Sequence, residues 1–432
     1  MNILCCYNVN IDSVCTVDGA KITDYIKSHE IKDPPDQIRD MSDFLALLLM
    51  CMENGTGGEY LLETPAAIRE SSFLIKNSPV LRLGGNAGIA ADVLSNLGAT
   101  LVIPNVASLS RRQADLLSGD AIQIPVYIDD EVVLSKPYDA VRDREEAIHY
   151  VFLFEKGTEI TLPGRTIRAP DNNRIIATYD PKNIAMHVDA AFKDFSDAHI
   201  AEMNGALVSG FHLLRNTYPD GLTYIDQIHR VIEQLKGWKS SNPNLMIHFE
   251  SGDFLDGDIR EHVISYISDV VDSIGMNEEE FLKGDVDFSA INIIEKAIQA
   301  IDKLGISRLC IHTRDFIVSI FDPAYIDAAS EIDALNFGAS ASAARARAGY
   351  VNQESIHAAI RNLKPNTDGI RECSMLQEHF NGKRIGKGVH LELNDYSVCI
   401  VPSLWCAHPV TTVGLGDTMT AAVFLRELER CQ

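Results

Sequence analysis

The segment Thr411-Thr-Val-Gly-Leu-Gly-Asp417, followed by Thr418-Met-Thr-Ala-Ala-Val-Phe-Leu-Arg-Glu-Leu428, has the residue types and spacing best suited to chemistry. Gly414 and Gly416, with Leu415 between them, let the backbone turn tightly and come close to a ligand. A helix that starts there points its first free N–H groups back at the turn. Such a site favours an anion, above all a transferring phosphoryl group. Asp417 lies at the same point. An acid beside an anion hole is electrostatically odd unless it works there, and it can take the proton from a hydroxyl that attacks phosphorus. Read alone, the segment is more simply a helix N-cap Asp after a glycine turn.

Other constellations change that balance. Leu83-Gly-Gly-Asn-Ala-Gly88 is a second glycine-rich strand-to-helix junction, where a polar ligand can approach Gly84 and Gly85 and Asn86 supplies an amide. Asn8, Asn10 and Asp12 put polar groups at the end of the first apolar run, suited to sugar hydroxyls; Asp12 alone also reads as a turn residue. His248-Phe-Glu250 closes another run with His and Glu on one face at period two. Asn277-Glu-Glu-Glu280 follows a further one. Phosphoryl transfer needs a divalent cation, and Mg²⁺ keeps several waters while the protein adds one or two carboxylates, so Glu250 and Glu280 are the candidates. The same acids also suit a helix start, where they complement the dipole. Lys156 and Arg174 are candidate clamps for a substrate phosphate, and equally plain surface charges.

These residues need elements to hold them. Ile3–Ile11 reads as one buried strand, Asp40–Asn54 as a helix closed by Gly55, and Ile89–Leu97 as a helix closed by Gly98, with a strand at Thr100–Pro104. Residues 121–180 show short alternating runs between Gly, Pro and Asp/Asn turns, an antiparallel patch set into an α/β chain. After about residue 190 strands and helices alternate again, which implies a parallel sheet with its binding crevice at the strands' carboxyl ends. Ala339–Ala348 reads as a loop or a loose helix. The expected fold is α/β, a doubly wound, mainly parallel sheet with helices on both faces plus a smaller β-rich lid. The large unit takes 1–12, 84–120 and 186–432, and the lid takes part of 13–83 and 121–185.

Composition narrows the partners. The 432 residues carry 38 Lys+Arg against 61 Asp+Glu, a net charge of −23, and no long basic block. That argues against nucleic acid. Arg345 and Arg347 make only a small local pair. No apolar run reaches the roughly 18 residues that span a bilayer, and no basic region precedes an apolar stretch at Met1, so neither a membrane span nor a signal peptide is expected. Nine cysteines, an odd number without Cys-x-x-Cys, suggest free thiols in a reducing cytoplasm. Neither a P-loop nor a Rossmann fingerprint is present. Oligomeric state is not legible.

Taken together, these segments resemble the ADP-dependent sugar kinases, the glucokinase and phosphofructokinase family with a ribokinase-like fold. The likeness runs from Asn8-Val-Asn-Ile-Asp12 through Gly84–Gly88, Asn173-Arg-Ile-Ile176, Ser209-Gly-Phe-His212, His248-Phe-Glu250, Ser273–Glu280 and His312-Thr-Arg314 to Val401-Pro402 and Thr412–Thr418. The resemblance implies Asp417 as base, the amides of Gly414, Leu415, Gly416 and Asp417 as anion hole, and Mg²⁺ held by Glu250 and Glu280. It implies a nucleotide pocket lined by His312, Thr313, Arg314, Val401 and Gly416, with ADP as donor. Asn10, Asp12, Gly85, Asn86 and His212 would face the sugar; the family more often has Gln where this chain has Asn86. Lys156 and Arg174 would grip the phosphate of fructose 6-phosphate, yielding fructose 1,6-bisphosphate and AMP in a modified glycolysis of archaeal type; an Arg near Arg174 could instead bind the nucleotide phosphates in either branch of the family. A glutamate at or near Glu59 favours glucose, so a glucokinase or a bifunctional enzyme stays open. A sensor on the same fold, having lost catalysis, stands further off, since Asp417, Glu250 and Glu280 are all present.

Overall fold

The computed structural model describes residues 1–143, 145–284 and 287–431. The chain forms two compact units. The larger comprises Met1–Val9, Gly85–Arg142 and Asn183–Gln432, and the smaller comprises Asn10–Gly84 and Asp143–Lys182.

The larger unit is built on a ten-stranded sheet. Leu101–Pro104, Asn2–Cys6, Gly205–Val208, Met246–Glu250, Ser273–Asn277 and Arg308–His312 pair in parallel in that order. Phe316–Phe321, Tyr396–Pro402, Gly388–Leu393 and Lys383–Ile385 continue it antiparallel. Strand side chains alternate between faces, and here the two faces feed different cores. Leu309, Ile311, Val318, Ile320, Val398 and Ile400 pack in one. Cys310, Ile317, Phe321, Cys399 and Val401 pack in the other. Helices such as Tyr224–Ser241 and Ala290–Leu304 cover the first face. Ala328–Ala348 and Leu415–Arg430 cover the second. Doubly covered strands explain why the parallel runs carry little polar alternation. The carboxyl ends of the parallel strands bring the segments after Cys6, Val208, Glu250, Asn277 and His312 to one edge.

The smaller unit has a mixed five-stranded sheet in the order Gly58–Leu61, Asn173–Tyr179, Ile148–Phe154, Asn10–Thr16, Val80–Gly84. One face packs on the helix Met41–Asn54 through Phe44, Leu48, Phe152, Ile175 and Ala177. The Asp40 side chain caps that helix and Gly55 ends it.

Two expectations are corrected and a third, left open between loop and helix, is decided. Residues 3–11 are not one strand: Asn2–Cys6 belongs to the larger unit's sheet and Asn10–Thr16 to the smaller unit's. Every residue from 3 to 11 is buried, the polar Asn8 and Asn10 included, so the chain passes from one sheet to the other without surfacing between them. Asn10 and Asp12 thus belong to the smaller unit. Second, the hairpin Ile124–Ile128 with Glu131–Ser135 belongs to the larger unit, not to a lid spanning 121–185. Ile122 bridges Val102 beside it, and Tyr127 Oη donates to Asp194; this hairpin aside, the sheet itself is mixed rather than antiparallel. Third, Ala339–Ala348 lies in the continuous helix Ala328–Ala348, capped by Asp327. Its small residues admit the Leu415–Arg430 helix: a Cβ at Gly338 would lie 2.4 Å from Val423 Cγ2.

Candidate active site

At the carboxyl edge of the larger sheet, Gly414 takes a left-handed conformation (φ +70°) as the N-cap of Leu415–Arg430. A side chain there would be strained, so glycine is the residue the turn requires. The N–H groups of Leu415, Gly416 and Asp417 have no helical acceptor and form the anion-attracting mouth. Asp417 is not the N-cap but the third helical residue. Its Oδ1 accepts a 2.6 Å hydrogen bond from Asn86 Nδ2. Asn86 opens its own helix, Asn86–Leu97, behind Gly85 (φ +76°). A hydrogen-bond chain runs back from it: Asn8 Nδ2 donates to Asn86 Oδ1, and Ser209 Oγ donates to Asn8 Oδ1, each at 3.1 Å. Burial, and then the negative charge of Glu250, push the Asp417 carboxyl up to about 6; Asn86, Arg345 and His312 oppose the rise.

Glu250 is the hub of a second cluster. Its Oε1 lies 3.0 Å from His312 Nε2, and its Oε2 accepts from Thr420 Oγ1 at 2.9 Å and lies 3.3 Å from His248 Nε2. His248 is fixed in turn by Ser273 Oγ at 2.6 Å from Nδ1. Burial opposes ionisation of Glu250, yet the hydrogen bonds and charges of His248 and His312 prevail and hold it down to about 2. Burial likewise works against His312, and Glu250 with Glu280 and Glu278 overcomes it, raising the imidazole to about 9. The two therefore form a buried ion pair. Glu280 makes a capping box with Asn277: Asn277 Oδ1 accepts from the Glu280 N–H at 2.8 Å, and the Glu280 carboxylate accepts from Asn277 N–H and Nδ2. Burial and the Glu250 charge push Glu280 up to about 7. Its acidic helix start is thus both a cap and an ionisable group facing a second acid.

Among the described residues no group of three or more His, Cys, Asp and Glu is placed to hold a metal ion. Both Glu250 oxygens are already engaged. The pair still fits a hydrated divalent cation: hard carboxylate oxygens, few of them, with Glu280 carrying an electrostatic cost that a cation removes.

A cavity of about 460 Å³ adjoins the turn, its wall including His312, Thr313, Arg314, Trp405, Leu415 and Gly416. That volume suits a nucleotide-sized ligand. Val401 is not on its wall: it is fully buried in the sheet, paired with Ile317, and past this strand the chain first reaches the cavity at Ser403–Ala407. His212, in the short helix Phe211–Leu213, packs edge-on to Phe254 and against Gly252, just past the end of the Glu250 strand.

The smaller unit carries its own polar face. Arg82, Asp12, His149 and Thr178 stand opposite one another across four strands, so their side chains share one side of the sheet. Asn10 Nδ2 donates to Asp12 Oδ1 at 2.8 Å, and a Cβ at Gly84 would strike that carboxylate. Thr178 Oγ1 donates to Glu59 Oε1 at 2.5 Å; His149 lies 3.5 Å from the same oxygen and 3.3 Å from Asp180 Oδ2. Burial disfavours the charged imidazole, but Asp180, Glu59 and Asp12 raise it to about 9. Burial raises Asp12 above the usual range. Arg174 is half-buried on the same face, and its charge reaches Asp12. Lys156 is different: its side chain is 70% exposed and its Nζ sits 3.3 Å from Asp171.

Sequence reasoning missed His149, Ser273, Thr420 and Trp405. A single His or Thr in a buried strand or helix carries no pattern of its own; only register placed them.

A doubly wound sheet with a capped anion mouth, an adjacent acid and a nucleotide-sized cavity defines a phosphoryl-transfer class of protein. The conserved-region model of the ADP-specific phosphofructokinase/glucokinase family matches residues 1–426, and the chain belongs to that family. The ADP-specific phosphofructokinase of Pyrococcus abyssi is 28% identical, over 98% of this chain and 97% of its own. The ADP-dependent glucose/glucosamine kinase of Pyrococcus furiosus is 26% identical, over 98% and 93%. A solved ADP-dependent kinase in complex with fructose 6-phosphate and ADPβS superposes with a TM-score of 0.83 at 24% identity, over 99% of this chain and 93% of that one. No helix among the described residues is long and apolar enough to cross a membrane.

Proposed function

We propose that this chain is an ADP-dependent sugar kinase that transfers the β-phosphoryl group of ADP to the 1-hydroxyl of fructose 6-phosphate, giving fructose 1,6-bisphosphate and AMP. The observation that carries the reading is the Asp417 carboxylate, held by Asn86 inside the first turn of a helix whose free N–H groups face the same mouth. Asp417 takes the hydroxyl proton as the oxygen attacks phosphorus. The amides of Gly414, Leu415, Gly416 and Asp417 receive the charge that develops on the transferring oxygens. Glu250 and Glu280 would hold Mg²⁺ through water, and when bound the ion neutralises charge on that group. His312, Thr313 and Arg314 line the donor's pocket, and the Val401 strand leads the chain to its wall. Asn10, Asp12, Gly85, Asn86 and His212 contact the sugar, and Lys156 and Arg174 its phosphate. We propose a cytoplasmic location, which the free cysteines of the chain support.

Glucose is the second acceptor to consider, for one reason: Glu59 stands on the polar face beside Thr178 and His149, where a carboxylate can accept from a sugar hydroxyl. The test is a matrix of ADP and ATP against fructose 6-phosphate and glucose with Mg²⁺, following AMP and sugar phosphate together. AMP formed with fructose 6-phosphate supports the reading, and AMP formed with both sugars makes the enzyme bifunctional. Turnover only with ATP refutes the donor, and none in any combination leaves a sensor, whose function Asp417→Asn would not disturb.

A further inference from the structure

We infer that Arg345 is a positioning residue for phosphoryl transfer, a buried cation that holds the anion-binding turn in shape and offsets the acids around it without touching the nucleotide. The inference rests on the function proposed above and adds a residue to it. Arg345 lies in the last turn of Ala328–Ala348 and is 8% exposed. Its Nε donates to the Val413 carbonyl at 3.3 Å. Its Nη2 lies so close to the turn that a Cβ at Gly414 would be 3.2 Å away. The guanidinium therefore sits directly behind the peptide unit that sets the direction of the 415–417 N–H groups. A planar, permanently charged group can hold a carbonyl and fill that slot at once.

The same cation acts on carboxylates from two other elements, Asp92 of Asn86–Leu97 and Asp417 of Leu415–Arg430. The charged or polar groups that bear on Asp417 are Asn86, Glu250, His312 and Arg345, each from a different element. Glu250 and Asp417 are both anions at neutral pH, and the donor brings more negative charge. A fixed positive charge behind the turn, in a low-dielectric setting, offsets part of that repulsion. Small residues on either side, Ala344 and Ala346, let the helix come near enough for one long side chain to span the gap.

The test compares Arg345→Ala, Arg345→Lys and the parent enzyme. Arg345→Ala is expected to lower kcat by about 10- to 100-fold, the range seen when a ligating group loses its supporting partner. KM for the sugar should barely move, and the acid limb of the kcat profile should shift to higher pH, because Asp417 has lost a nearby cation. Arg345→Lys should keep the position of that limb and recover part of kcat, and millimolar guanidinium should restore part of the activity of Arg345→Ala. A folded Arg345→Ala with parental kcat and an unmoved limb overturns the inference. So does a loss of kcat that neither Lys nor guanidinium repairs, with the limb in place, which marks a purely structural role. If Arg345→Ala does not fold, Arg345→Lys decides: it keeps the charge but cannot reproduce the Nε bond, and parental kcat there refutes the role. Failure of the parent enzyme in every substrate combination would refute the proposed function instead.

Discussion

Replacing Asp417 by Asn should abolish turnover and, at the same time, stabilise the ligand-free protein at alkaline pH. In the fold its carboxyl titrates at about 6 rather than 3.8, because burial and the Glu250 charge disfavour ionisation. A folded-state pKa above the unfolded one means the native state favours the protonated form. Below pH 3.8 the carboxyl is neutral in both states and costs nothing. As pH rises through 6 the native protein must ionise it, and stability falls. About two units at 1.36 kcal/mol each give about 3 kcal/mol by pH 8. Asparagine can still accept from Asn86 Nδ2, so the 2.6 Å hydrogen bond is retained. Urea unfolding of the ligand-free protein should therefore show Asp417→Asn more stable than the parent by up to about 3 kcal/mol at pH 8. The gain should hold down to about pH 6 and shrink below it towards pH 4.5. Turnover, followed as AMP release, should fall by about 100- to 10,000-fold, the usual worth of a positioned base. A gain of the same size at both pH values, or a loss at pH 8, would refute the electrostatic account of this carboxyl. Near-parental kcat would remove Asp417 from the reaction.

The same geometry sets three further outcomes. A Cβ at Gly275 would lie 2.2 Å from Glu250 Oε2, so Gly275→Ala should displace that carboxylate and raise the Mg²⁺ concentration needed for half-maximal turnover; an unchanged requirement would separate Glu250 from the cation. Arg174→Ala should raise KM for fructose 6-phosphate by about 10- to 100-fold, the value of a hydrogen bond to a charged group, with glucose turnover unmoved, whereas Glu59→Ala should do the reverse; kinetics on both sugars read the pair. Arg308 is fully buried with Glu331 and Glu427 each 2.8 Å from its Nη2. Arg308→Met should cost about 3–5 kcal/mol in urea unfolding by stranding two acids, and Glu427→Gln much less.

Local pattern carried much of this protein. The glycine turn before Asp417, the strand-end acid Glu250, the helix-start acid Glu280, and the Gly85-Asn86 junction are short motifs whose chemistry depends on neighbours in the chain, so they are visible without a fold. Helix punctuation is equally local: Asp40 and Gly55 bound Met41–Asn54 as their types dictate. Contacts between distant segments are another matter. The 6–10 crossing between sheets leaves no mark because both strands are buried. An alanine-rich stretch reads as loose until a second helix is found against it, and Arg345 reads as surface charge until that packing buries it. The row of Arg82, Asp12, His149 and Thr178 comes from four strands brought into register. Side-chain type and short spacing are properties of the chain. Burial, register and the field at a carboxylate depend on what is packed beside it, and only the tertiary structure decides those.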